Sequence, residues 1–230
     1  ATLTDTDGAF SMEIISTEQV AKVTLKISKD GSTTNYMNVG VIKGVTVTAS
    51  LLLASAGGYQ TIDATQNTTV TGTGGAAVTI SAGTLRDSDG RTASTARVSV
   101  AAIDSTADRT LLPGSLYGMD GSTVKLFSTF GMVSIDVLDA DNDPMTLASG
   151  ATAAISIPVG DIVGANPSAT VGLWYYSPES SSWQLEGMLT LNDTMTAYTG
   201  TISHFSLYNA GETWDMSFIK IRVVDQAGQP

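Results

Sequence analysis

The 230-residue chain contains no cysteine. Disulfides, thiolate catalysis and Cys-ligated zinc or iron–sulfur sites are therefore excluded. It contains a single histidine, His204, so one chain cannot build a two-His metal site. Charge is scarce, at 14% of residues against roughly a quarter in ordinary globular chains. The charge present is mostly negative, 22 acidic residues against 11 basic ones, for a net −11. Such a surface repels phosphate backbones, so nucleic acid is not an expected partner, and it offers no polybasic handle to anionic lipid. No apolar run approaches the roughly 18 residues that a membrane-spanning helix requires. The longest, Ala49 to Ala56, ends at Gly57-Gly58, and membrane insertion is not expected. The sequence opens at Ala1 with neither Met nor a leader, which reads as a processed or excised segment of a longer polypeptide.

Hydrophobic residues make up 42% of the chain, enough for a real core. With so little charge, the polar surface must come from Thr, Ser, Asn and Gly, which suit strand faces and turns better than helix surfaces. Apolar residues recur at every second position: Val23, Leu25 and Ile27; Val98, Val100 and Ala102; Val133, Ile135 and Val137; Ile155, Ile157 and Val159; Trp183 and Leu185; Ile219, Ile221 and Val223. This alternation is that of half-buried strands. Asp7-Gly8, Asp30-Gly31, Asp89-Gly90 and Asp120-Gly121 punctuate it as turns, because Gly accepts positive φ and Asp bonds its own backbone. Helical spacing is confined to a short stretch, Asp161 to Ala165. The expected fold is all-β, with two or more β-sandwich-like subdomains and little or no helix. Residues 1–55 read as a partial β module, 56–209 as a long β-rich body, and 210–230 as one further strand, Phe218 to Asp225. Ala54 to Gly58 reads as the linker. A terminal strand without a hairpin partner is an edge hazard unless it completes the first module or opens a following one.

Three segments carry a family resemblance. Thr4-Asp5-Thr6-Asp7-Gly8-Ala9-Phe10-Ser11 resembles the hairpin of carboxypeptidase-regulatory-like, Ig-like domains, and Phe218 to Pro230 resembles the opening strand of that domain type. Between them, Ile62 to Gly83, Leu85 to Val100, Pro113-Gly114, Thr129 to Val133, Gly150 to Ala153, Leu173 to Tyr176, Trp183 to Gly187 and Ser203 to Ser206 resemble, in that order, the ZU-five/UPA-like β-rich region of ankyrins, netrin receptors, cartilage intermediate layer proteins and many bacterial surface proteins. Ser81 stands where that family often has Pro. The resemblance implies a non-catalytic structural or adhesive module in a larger secreted or cell-surface protein, whose partners are neighbouring domains of the same polypeptide and a protein or glycan surface ligand.

Some members of that family cut themselves within a His-Phe-Ser sequence, and His204, Phe205 and Ser206 match it. The Ser206 hydroxyl would attack the Phe205 carbonyl in an N→O acyl shift, water would hydrolyse the ester, and His204 would move protons. The alternative is structural: on a strand, Phe205 would be a core side chain, with His204 and Ser206 on the opposite face. Three loops carry spaced acids: Asp5 to Gly8, Asp87 to Gly90, and Asp139, Asp141 and Asp143. Calcium takes such oxygen ligands, and in the third loop a cation would relieve the crowding of three carboxylates. Hairpin turns are the alternative, and no cofactor other than calcium is expected. Trp174, Tyr175, Tyr176 and Trp183 surround Ser177 to Ser182, either as an open surface for sugar rings or a partner or as a hairpin with aromatics paired across its strands. In the hairpin, Trp174 and Tyr176 share one face and Tyr175 takes the other. Gly72-Thr73-Gly74-Gly75 lacks the Lys and helix of a phosphate loop and reads as a turn before the strand Ala77 to Ile80.

Overall fold

The computed structural model describes residues 2–6, 8–15, 18–29, 31–103, 111–114, 116–160 and 167–214. The terminal strand expected at Phe218 to Asp225, the short helix at Asp161 to Ala165, and the acids Asp7 and Asp30 lie outside these residues. Within them the chain is all β. Its strands are β1 (Val20–Ile27), β2 (Asn35–Ile42), β3 (Gln60–Asp63), β4 (Thr68–Thr71), β5 (Ala77–Ile80), β6 (Leu85–Arg86), β7 (Thr95–Ile103), β8 (Tyr117–Asp120), β9 (Thr123–Leu138), β10 (Thr146–Leu147), β11 (Ala153–Pro158), β12 (Thr170–Ser177), β13 (Ser182–Leu191), β14 (Ala197–Ile202) and β15 (Leu207–Trp214). β15 runs across the expected boundary after residue 209.

Eleven strands form one sheet in the order β3-β7-β9-β15-β12-β13-β14-β11-β5-β4, with β8 bridging β9 and β13. The sheet returns on itself. Thr73, just past β4, receives and gives backbone hydrogen bonds on β7, Thr73 N–H to Val100 O and Ala102 N–H to Thr73 O, both at 3.2 Å. The Gln60 amide donates to Thr71 O at 2.8 Å, tying β3 to β4. Two layers result. Val98, Val100, Val133, Ile135, Leu173 and Tyr208 from β7, β9, β12 and β15 meet Val78, Ile155, Ile157, Leu189, Tyr198 and Ile202 from β5, β11, β13 and β14 in one buried core. The alternation read from the sequence is what makes this possible, since each strand turns one face inward.

β9 is buried on both faces over Phe130 to Ile135. One face lines the main core. On the other, Met132 joins a second cluster with Ile103, Phe127, Trp174, Tyr176, Trp183 and Leu207. Against this cluster sits the separate two-stranded sheet of β1 and β2. Tyr36 stacks on Tyr176 at 5.1 Å, the Asn38 amide donates to Ser181 O at 3.0 Å, and Thr24 hydrogen-bonds Ser181. Residues 54–56 are not a free linker: Thr33 N–H donates to Ala54 O at 2.8 Å, Ala56 N–H to Gly31 O at 2.9 Å, and the buried Ser99 hydroxyl to Ala56 O at 3.1 Å.

Candidate functional site

His204, Phe205 and Ser206 occupy the bend between β14 and β15, not a strand. Phe205 packs against the main core, and the Ser206 carbonyl accepts Ile135 N–H at 3.0 Å, which pins the bend to β9. His204 enters a polar cluster that the triplet alone does not reveal. Glu186, projecting from β13, accepts two hydrogen bonds on Oε1, from Ser203 N–H at 2.7 Å and the Ser203 hydroxyl at 2.6 Å. Its Oε2 lies 3.7 Å from His204 Nδ1. The Tyr208 hydroxyl donates to the His204 carbonyl at 2.6 Å, and the Ser203 and Tyr208 hydroxyls each stand 3.4 Å from His204 Nδ1. Tyr175 meets the imidazole edge-on at 4.6 Å. Burial and the neighbouring Glu186 carboxylate push the Tyr208 phenol far above its ordinary pKa, so it is a constitutive donor.

A carboxylate beside an imidazole is an acid–base pair in outline. The polarised carbonyl, however, belongs to His204, one residue before the bond that an N→O shift would open. The contacts made by Glu186 and Tyr208 hold the bend. Glu186 and Tyr208 were not picked out by sequence reasoning. The available signal is that Glu186 is the one charge in β13, SWQLEGMLTL, and a lone charge in an otherwise uncharged strand needs a partner.

The aromatic residues divide as the hairpin alternative requires. Trp174, Tyr176 and Trp183 are buried, at 0%, 2% and 0% exposure, and expectation of an open stacking surface does not hold for them. Trp174 stacks on Phe127 at 4.8 Å and Trp183 meets Tyr176 edge-on at 5.6 Å. The Trp174 indole donates to Gly211 O at 3.2 Å. Tyr176 pairs with Trp183 across β12 and β13, and the register shift at Leu173/Trp174 leaves Glu186 as the extra residue of a bulge on β13. Tyr175, on the opposite face, is the half-exposed member that reaches His204.

The acidic loops share one geometry. Asp139 Oδ1 accepts the amides of Asp141 and Asp143, both at 2.9 Å, and Asp139 N–H donates to Asp143 O at 3.0 Å. Asp87 Oδ1 accepts the amides of Asp89 and Arg91 at 3.0 and 2.8 Å, and Asp5 Oδ1 that of Ala9 at 2.9 Å. The fourth residue of each loop has positive φ: Gly8, Gly90 and Asn142. Among the described residues no three His, Asp or Glu converge as a metal-binding group. The leading Asp of each loop is engaged by the loop's own backbone.

A groove of about 960 Å³ lies on the face of β1 and β2 turned away from the body. Leu25, Ile27, Val39 and Val41 form its floor, and Phe10, Met12 and Ile14 one wall, with Glu13, Glu18 and Lys43 among its charged lining. No family model, curated protein or solved structure matches the chain.

Proposed function

We propose that this chain is a non-catalytic structural or adhesive module of a larger secreted or cell-surface protein. The supporting observation is where the chemistry-bearing side chains go. The large aromatics fill a core, the leading loop carboxylates close turns, and Glu186 with Tyr208 ties a bend. What the sheet presents outward on β4, β5, β11 and β14 is Thr69, Thr71, Thr79, Ser156, Thr199 and Thr201, interspersed with Ala77, Ala154 and Ala197, a charge-free face of hydroxyls and small side chains. The order of motifs resembling the ZU-five/UPA-like region supports the same reading, by analogy of fold and not by chemistry. An antibody against the chain should label intact cells of the source organism. Labelling that appears only after permeabilisation overturns the surface assignment.

Self-cleavage between Phe205 and Ser206 is a second reading, favoured by the placement of Glu186 Oε2 3.7 Å from His204 Nδ1. Intact mass after prolonged incubation separates the two. A single uncut chain supports the structural role, and two fragments meeting at Phe205/Ser206, abolished in Ser206→Ala, support cleavage. In the structural role Tyr208→Phe costs about 1 kcal/mol for its lost hydrogen bond and leaves the mass unchanged.

A further inference from the structure

The module built on β1 and β2 is short of a partner. Among its described residues no apolar side chain before Ala56 is fully buried. Leu25, Ile27, Val39 and Val41 remain only half-covered, and Phe10 and Ile14 are each 36% exposed. Among the described residues β1 and β2 pair only with each other as strands, so each offers an outer edge. A two-stranded sheet is marginal alone, and an edge beside an apolar groove is the geometry in which an added strand supplies both backbone bonds and alternate side chains.

We propose that the groove is a strand-acceptor site and that its occupant is the segment Phe218 to Asp225 of this same chain, a segment outside the described residues. That sequence, FIKIRVVD, places Ile219, Ile221 and Val223 in one alternating set, with Lys220 and Arg222 between them. The apolar set fits a floor of Leu25, Ile27, Val39 and Val41. The charged lining of the groove, Glu13 and Glu18 against the one Lys43, is net negative, opposite in sign to the two bases of the segment. The point where the described chain stops favours its own segment over another copy's. Trp214 pairs with Leu126, and Leu126 with Tyr117, so Trp214 is about 10 Å from β8. Gly118 of β8 pairs with Trp183, Trp183 packs on Tyr176, and Tyr176 stacks on Tyr36 of β2. These steps sum to about 25 Å, and an extended chain leaving Trp214 covers that length by about its eighth residue and reaches roughly 36 Å by Asp225. The inference concerns the completion of one module and stands whatever the cellular location.

Hydrogen exchange on the full chain tests it. Ile221→Glu places a charge in the apolar set and alters no residue of the main sheet. Amides of Val23–Ile27 or Val39–Ile42 should exchange roughly tenfold faster than in the parent chain, with amides of β7 and β9 unchanged as the control for folding. A synthetic peptide of residues 217–226 added to the variant should restore the protection. Equal protection in parent and variant overturns the proposal, as does a peptide that leaves β1 and β2 unchanged at saturation. Protection that rises with protein concentration in the parent chain, together with assembly on gel filtration, also overturns it in favour of a strand donated between copies.

Discussion

A missing methyl group decides whether the large sheet can close. At Gly72 a Cβ would stand 1.6 Å from the Val100 carbonyl oxygen and 2.4 Å from its carbon. Both are backbone atoms, so no side chain can move aside. This contact sits beside the Thr73 hydrogen bonds that carry the sheet back onto β7. Gly72→Ala should therefore cost at least about 3 kcal/mol in urea unfolding, at the upper end of what overpacking does. Gly187→Ala is the matched control, since nothing lies within 4 Å of its Cβ position and its φ is ordinary. It should change stability by less than about 0.5 kcal/mol. Equal stability of the two variants would mean that Thr73 does not close the sheet. The glycine run itself was legible as a turn. Which of its members is indispensable was not, because the reason lies about thirty residues away on β7. Glu186 was hidden in the same way: its partners Ser203 and His204 meet it only once β13 and β14 pair.

At the level of elements, alternation named the strands and turn chemistry named their ends. β1, β7, β9, β11 and β13 fall where Val23, Val98, Val133, Ile155 and Trp183 lead their alternating runs, and Gly8, Gly31, Gly90 and Gly121 all have positive φ. Strand order was not legible. β3 and β4 are neighbours in sequence yet pair with β7 and β5, because pairing is chosen by the packing of whole faces and not by local pattern. β14 escaped notice because Gly200 interrupts its alternation, and β15 because Asn209 and Gly211 do. The loop geometry makes its own prediction. In Asp139 one carboxylate oxygen serves two amides, and the same device recurs with a carboxamide at Asn192, whose Oδ1 accepts Thr196 and Ala197 N–H at 2.9 and 3.2 Å. Asp139→Asn should thus keep the turn and its stability to within about 0.5 kcal/mol. Asp139→Ala, losing two acceptor contacts, should lower stability by about 1–3 kcal/mol. Millimolar calcium discriminates the metal reading: a melting temperature raised in the parent chain and not in Asp139→Asn would make the loop a cation site instead of a self-satisfied turn.

At the scale of the whole molecule, burial favours the neutral forms of four phenols and of Asp136, and a pH dependence of stability follows. Burial raises the pKa of Tyr36, with the Asp136 charge adding to it, and burial also raises that of Tyr176. Burial and then the Glu212 charge push Tyr198 up to about 12, and Tyr208 goes higher still. Each phenol ionises more readily in the unfolded chain than in the folded one. The stability these groups contribute is whole below pH 10 and is lost as pH rises through the folded values. Asp136 shifts the same way lower on the scale. Burial raises its pKa above 3.8, with Lys26 and the Ser134 hydroxyl pulling it back, so its contribution is whole below 3.8 and is lost as pH rises through the folded value. Asp136→Asn should equal the parent chain in acid and exceed it in thermal stability at neutral pH. On the alkaline side the net charge of −11 grows as phenolates form, and self-repulsion adds to the loss. Tyr36 and Tyr176 form the stacked seam between the β1–β2 sheet and the body, so the seam should open first. Raising pH past 10 should release exchange protection in β1 and β2 before β7 and β9 lose theirs, and the last phenolate absorbance should appear only with the unfolding of the main sheet. Titration of Tyr198 and Tyr208 near 10 with the main sheet still protected would show that burial does not hold these rings neutral.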